Sequence, residues 1–213
     1  MRIIEPSFEI IKDCVNLRTL ERIGRVCYKS EDRITEDSAE GFIRRIIQNG
    51  HESVLEHGSV TVQVVCDRGV SHEIVRHRMF SFTQESTRYC NYAEGRFGGE
   101  IAVIDPVFWE DGGELYELWR VAMEVCEEVY LYMLSLGATP QQARTVLPNS
   151  LKTELVITGN IRLRTAPDAH PQMREIAVPM LEEFSRRWPV VFEDIANANE
   201  MAAKDAGGAK TIS

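Results

Sequence analysis

No apolar run in the 213 residues approaches the length of a membrane span, and the opening MRIIEPSFEI lacks the apolar centre of a secretory leader. There is no CxxC pair. The five cysteines, Cys14, Cys27, Cys66, Cys90 and Cys126, are odd in number and scattered, which excludes a disulfide framework or a zinc knuckle and fits the reduced thiols of a cytoplasmic protein. Neither GxGxxG nor GxxxxGK[ST] occurs, so no glycine fingerprint announces a dinucleotide or a nucleoside triphosphate; Gly98-Gly99 and Gly112-Gly113 are turn signals. His72-Glu73 starts like a zinc-protease helix, but Arg76 stands where the second histidine belongs. His51, Glu52, Glu56 and His57 offer metal-type donors beside arginine-rich segments that oppose a cation, so no metal site is expected. There are no internal repeats, and low complexity is confined to 202–213, read as a frayed tail.

What is present is ordinary globular material, 44% hydrophobic and 27% charged, enough for one domain over 1–201 with its own core. The net charge of −9 argues against a general nucleic-acid binder. That charge is unevenly spread. Residues 68–97 carry a net +2 and residues 144–174 a net +3, leaving −14 on the remainder. Nine of the ten cations in these two islands are arginines, whose planar fork suits phosphate oxygens and flat rings. Some of them are ordinary surface charges; two islands together point to a small anionic ligand such as a nucleotide.

Periodicity predicts a helix over 35–49, capped by Thr35 and ended by Gly50, and a strand over 59–66 with Val60, Val62 and Val64 on one face. A helix over 70–80 and a short strand over 87–92 follow. The longest helix, 114–136, aligns Leu115, Leu118, Ala122, Val125, Val129 and Tyr132 and closes at Gly137. Pro140 opens a short helix, 151–158 reads as a strand, and a helix starts at Pro171 and runs to Arg187. Strands separated by helices predict an α/β fold, a mixed sheet flanked by helices in a single domain.

The densest polar stretch is 76–89, Arg-His-Arg-Met-Phe-Ser-Phe-Thr-Gln-Glu-Ser-Thr-Arg-Tyr. Arg76 and Arg88 can fork onto phosphate, Ser86, Thr87 and nearby backbone N–H groups can complete a cradle, and Gln84 offers a donor and an acceptor to the edge of an amide-like ring. A solvated helix end, with cations favoured by the dipole, is the plain alternative. Ser86 with His77 lacks the third orienting group of a nucleophilic triad.

Arg76-His77-Arg78, with Ser81, Gln84, Ser86, Arg88 and Tyr89 at their spacings, resembles the signature of the flavin-dependent thymidylate synthases. Three more segments follow in that family's order. His51-Glu52-Ser53 with Glu56-His57 resembles its N-terminal flavin segment, Arg144-Thr145-Val146-Leu147-Pro148 its Arg-x-x-Leu-Pro turn, and Thr158 to Arg164 with His170-Pro171-Gln172 its C-terminal nucleotide segment. The resemblance implies conversion of dUMP to dTMP, with FAD as hydride carrier, methylenetetrahydrofolate as carbon donor and NADPH as reductant. It implies dUMP contacts from Glu73, Arg76, Gln84, Glu85, Ser86, Thr87, Arg88, Arg144 and Arg164. Arg164 would act catalytically at the uracil edge, where a guanidinium favours the anionic ring. It implies FAD contacts from Ser53, Arg76, His77, Arg78, Gln84, Asn160, Ile161 and Arg162. It also implies a homotetramer with active sites shared between subunits.

One segment departs from the family pattern. Arg162 runs directly into Leu163-Arg164, where relatives place several more residues. Both flanks match, which favours an omitted stretch; a true deletion would instead suit a degenerate, non-catalytic nucleotide-binding member. A single-stranded nucleic-acid binder using Phe80, Phe82, Tyr89 and Tyr92 is a third reading, opposed by the acidic remainder.

Overall fold

The computed structural model describes residues 1–161, 170–193 and 195. Its elements run β1 (Arg2–Ile4), β2 (Ser7–Asp13), α1 (Leu17–Arg25), α2 (Ser38–Gln48), β3 (Ser59–Asp67), α3 (Arg68–Ile74), β4 (Ser81–Gln84), β5 (Ala102–Ile104), α4 (Glu114–Ser135), α5 (Pro140–Ala143), β6 (Lys152–Asn160) and α6 (Pro171–Arg187). Short 3-10 turns at Glu52–His57 and Arg144–Val146 link several of them. This is a mixed α/β architecture with two sheets. β1 pairs in parallel with β5, Ile3 opposite Val103, while a four-stranded sheet has the order β2-β3-β6-β4. The Thr61 and Thr158 hydroxyls meet at 2.9 Å and Gln63 Nε2 donates to Glu154 Oε2 at 3.0 Å. The partners step in opposite directions along β3 and β6, which makes these two strands antiparallel. Among the described residues no helix is long and apolar enough to cross a membrane.

The chain divides into two compact units, with boundaries falling inside β2, β3, β6 and α6. The first comprises Met1–Glu9, Val62–Ile157 and Pro171–Ile176; the second comprises Ile10–Thr61 with the described parts of Thr158–His170 and Ala177–Ser213. The core of the first unit gathers Tyr92, Ile101, Val103, Met123, Tyr130, Ala143 and Leu151. In the second unit α1 lies on α2. Gly24 permits this approach, because a Cβ there would meet the Phe42 ring at 2.7 Å. Beneath it the buried Arg25 bonds Glu21 through Nε at 2.9 Å and Nη2 at 2.6 Å, and Ser38 Oγ donates to Glu21 Oε2 at 2.8 Å. Every oxygen of that buried carboxylate therefore has a donor, the condition under which a buried pair is tolerated.

Three predicted elements differ. The helix predicted from residue 35 begins at Ser38, because the Ser38 hydroxyl accepts the Thr35 N–H at 2.9 Å and turns the chain there. The helix predicted over 70–80 stops at Ile74. The His77 ring Nδ1 sits 2.9 Å from the Ile74 carbonyl, which the N–H of residue 78 would need for another turn. The strand predicted over 87–92 is a turn, since the Ser86 carbonyl accepts the N–H groups of both Tyr89 and Cys90, and the strand falls earlier, at β4.

Helix α4 starts as predicted, ends one residue before the predicted 136, and is closed as predicted by Gly137 at φ +91°. It packs by a different face. Tyr116, Met123 and Tyr130 are buried, spaced seven residues apart, whereas the row expected inward is exposed, with Leu118 at 62% and Tyr132 at 63%. Two apolar stripes share this helix, and the one carrying two tyrosines and a methionine fills the core.

Candidate active site

In the first unit, β4 delivers Gln84 into the run Glu85-Ser86-Thr87-Arg88. The Gln84 side chain is oriented by two neighbours: Nε2 donates to Ser71 Oγ at 2.9 Å and to Thr153 Oγ1 at 3.2 Å. Ser71 and Thr153 are both buried, on α3 and β6, and Ser71 Oγ donates onward to the Arg68 carbonyl at 2.9 Å. Both amide protons are thus used inside the protein. Of the donor and acceptor expected for reading a ring edge, the acceptor Oε1 remains.

Ser86 organises the next turn. Its carbonyl accepts the N–H of Tyr89 at 3.0 Å and of Cys90 at 2.9 Å, and its Oγ accepts the N–H of Arg88 at 3.3 Å. Three backbone donors that a phosphate cradle would draw on are occupied by Ser86 itself. Thr87 is buried. Arg88 is exposed, its Nε donating to Gln141 Oε1 at 3.1 Å and its guanidinium 5.5 Å from the centre of the Tyr89 ring. Gln141 lies on α5, whose start is fixed by a capping box between Thr139 and Gln142. The next turn carries Arg144, which is exposed. The structure therefore ties the 85–88 loop to the Arg144 segment through Gln141, a residue the sequence did not single out.

Glu85 is half-buried, and both oxygens of its carboxylate are engaged. Its Oε1 accepts the Tyr92 hydroxyl at 2.7 Å and its Oε2 accepts Lys152 Nζ at 3.0 Å. Lys152 is also paired with Glu154. Burial alone would pull the Lys152 ammonium down, but the hydrogen bonds it donates to Glu154 and Glu85 outweigh it and hold its pKa above the ordinary lysine value. Burial, together with the Glu85 carboxylate, drives the Tyr92 phenol far up, so it is a donor at any physiological pH. Glu85, Lys152 and Glu154 border a cleft of about 590 Å³ that is also lined by Arg2, Gln63, Thr83 and Arg96.

Glu73 is exposed on α3, and Arg76, His77 and Arg78 follow in the turn after it, all exposed. Arg76 and Arg78 make no side-chain hydrogen bond or ion pair among the described residues, so they stand as uncompensated cations. The His77 ring stacks on Phe80 with centroids 5.5 Å apart and 15° between planes.

In the second unit, Ser53 is exposed in the 3-10 turn and Asn160, half-buried, ends β6. Ile161 is fully buried, its N–H donating to the Gly58 carbonyl at 3.1 Å, which makes its side chain a core residue. Arg162 and Arg164, and with them the shortened segment, lie outside the described residues. Among the described residues no group of three or more His, Cys, Asp or Glu side chains is arranged to hold a metal ion.

The family model for thymidylate synthase complementing protein matches residues 10–190. The chain is 35% identical to the flavin-dependent thymidylate synthase of Pyrococcus furiosus, over 77% of this chain and 70% of that protein. It is 33% identical to that of Mycolicibacterium vanbaalenii, over 86% and 83% respectively. A solved UMP/dUMP methylase, PolB from Streptomyces cacaoi bound with 5-Br dUMP, superposes with a TM-score of 0.74 at 26% identity, covering 91% of this chain and 96% of that one. With its signature loop intact and a family match across most of its length, the chain belongs to the flavin-dependent thymidylate synthases.

Proposed function

We propose that this protein methylates dUMP to dTMP, a methyltransferase reaction with a reductive step, using a flavin cofactor. The observation that carries the reading is the loop Gln84–Arg88, braced from β6, α3 and α5, in a chain of this family. The finer reading takes FAD as the flavin, methylenetetrahydrofolate as carbon donor and NADPH as reductant, in a cytoplasmic homotetramer whose active sites are shared between subunits. The residues 1–201 act as one functional domain in this reading.

Arg88 neutralises the nucleotide phosphate with Ser86 and Thr87, its two Nη groups remaining open among the described residues beyond the Nε bond to Gln141. Gln84 presents Oε1 to a ligand N–H from a fixed rotamer, so little side-chain freedom is lost on binding. Glu73, Arg76 and Arg144 add polar and cationic contacts to the nucleotide, and Arg164 stabilises the anionic uracil ring, which raises the nucleophilicity of its carbon. The donor set fits a flavin diphosphate: Arg76 and Arg78 are exposed cations without internal partners among the described residues, and His77 presents a flat ring stacked on Phe80. Ser53, Asn160 and Arg162, with Gln84, complete the FAD contacts in this reading, and Ile161 serves the core instead. When bound, the reduced flavin supplies the hydride; the protein binds, orients and polarises.

The exposed apolar row on α4 supports the assembly. Single apolar side chains at a surface are ordinary, but a contiguous row along one helix marks an interface. The test of the function is the visible spectrum of protein loaded with FAD and freed of excess, followed by a dTMP assay. A retained flavin band, bleached by NADPH, with dTMP formed from dUMP and the folate is the expected result. dUMP binding without flavin retention would instead favour a degenerate nucleotide-binding member, for which the short segment after Arg162 is the supporting feature.

A further inference from the structure

Glu85 lies immediately before the Ser86-Thr87-Arg88 cradle, and its side chain is only 12% exposed. Three of its polar groups are engaged inside the protein. Oε1 takes the Tyr92 hydroxyl at 2.7 Å, Oε2 takes Lys152 Nζ at 3.0 Å, and the backbone N–H donates to the Glu154 carbonyl at 2.8 Å. The partners are themselves fixed. Tyr92 is buried, its ring edge-on to Phe97 at 5.4 Å and 5.8 Å from Tyr130, and its N–H donates to the Tyr130 hydroxyl at 3.4 Å. Lys152 is shared with Glu154, whose other oxygen accepts Gln63 Nε2 at 3.0 Å. A ligand contact through this carboxylate would exchange one or both of two charge-assisted hydrogen bonds for another, with small net gain. A carboxylate pinned from two sides does something else well: it sets where the next three residues begin.

We infer that Tyr92 and Lys152 are positioning residues for the nucleotide site, holding Glu85 as the anchor of the phosphate-binding loop, so that Glu85 acts through Ser86–Arg88 and not as a direct ligand. This rests on the dUMP reading of that loop given above. The two roles for Glu85 predict opposite signs. If it is an anchor, releasing it loosens the cradle and weakens dUMP binding. If it is a ligand, releasing it from Tyr92 and Lys152 leaves dUMP binding unchanged or tighter.

The experiment uses flavin-loaded full-length protein carrying Tyr92→Phe, which removes one oxygen and keeps the packed ring, together with Lys152→Met and Lys152→Arg. Tyr92→Phe is expected to raise Kd and KM for dUMP about tenfold, the scale of one lost hydrogen bond to a charged group. kcat at saturating dUMP and flavin retention should stay at wild-type values. Lys152→Met should do the same more strongly, with Lys152→Arg recovering part of the affinity. Should Lys152→Met fail to fold, Tyr92→Phe decides alone. Unchanged or tighter dUMP binding in Tyr92→Phe overturns the inference. So does a fall in kcat at constant KM, or a parallel loss of melting temperature, flavin and dUMP that marks a folding defect. Wild-type protein that takes no dUMP fails at the substrate reading itself, before any variant is compared, and the inference falls with it.

Discussion

The amide oxygen of Gln141 holds the Nε–H of Arg88 at 3.1 Å across 53 residues of chain. The bond constrains an exposed guanidinium that would otherwise sample many rotamers, and it leaves both Nη groups for a ligand. Gln141→Ala is expected to weaken dUMP binding about fivefold, in line with one surface hydrogen bond worth about 1 kcal/mol. Arg88→Ala removes the charge as well and should cost roughly thirtyfold or more. Calorimetric titration with dUMP measures both, and FAD retention should be untouched in each. Equal losses of flavin and nucleotide would mean that Arg88 serves both ligands.

A second prediction concerns stability against pH. Glu175 Oε2 has no hydrogen-bond partner among the described residues, and burial, with Glu5, Asp105 and Asp67 nearby, pushes its carboxyl above the usual range. A raised carboxyl favours the protonated form in the folded state. Its stabilising share is therefore present below the ordinary glutamate value and is lost as pH rises through the folded one. Glu175→Gln keeps the neutral form at every pH. It should raise the melting temperature near neutral pH and give no gain below about pH 4. Equal gains at both pH values would point to packing as the cause.

Thiol reactivity gives a third. Cys14 and Cys27 are exposed free thiols, whereas Cys66 is buried on β3 and burial, with the neighbouring Asp67 charge, pushes its pKa up to about 12. Native protein treated with a maleimide near neutral pH should be modified at Cys14 and Cys27 and spared at Cys66, with full modification after denaturation. Mass spectrometry of the peptides reads this directly. Rapid labelling of Cys66 in the folded protein would contradict its placement.

The exposed row on α4 gives a fourth. Leu118→Glu with Val125→Glu places two charges on a surface proposed to be covered by another copy, while Tyr116, Met123 and Tyr130 keep the core side of the helix intact. Light scattering should show a smaller species with an unchanged circular dichroism spectrum. An unaltered assembly would move the interface elsewhere.

These elements also show where sequence is informative. Pro171 at the first helical position and apolar residues at helical spacing mark α6 from start to finish, although Pro179 sits inside it. The valines of β3 mark their strand because one face is uniformly buried. The three-residue strands β1 and β5 are silent because their pairing partners lie about a hundred residues away and neither has room for a pattern. Helix α1 is polar at most positions, and the side-chain cap from Asn16 to the Thr19 N–H is its clearest local signal. Composition marks Gln84 to Arg88 as a polar loop, and the family resemblance gives it a ligand. Its supports come from a turn (Tyr92), α5 (Gln141) and β6 (Lys152), and folding brings them near.

The apolar row on α4 has a last consequence. A helix of 22 residues is about 33 Å long, so a row along it is a ridge that water meets over its whole length. Covering such a ridge is a bimolecular event, and the free energy it returns depends on how many copies are near. Melting temperature should then climb with protein concentration, and a dilute sample should age faster than a concentrated one. In the proposed assembly, durability is a property of the population as much as of the molecule.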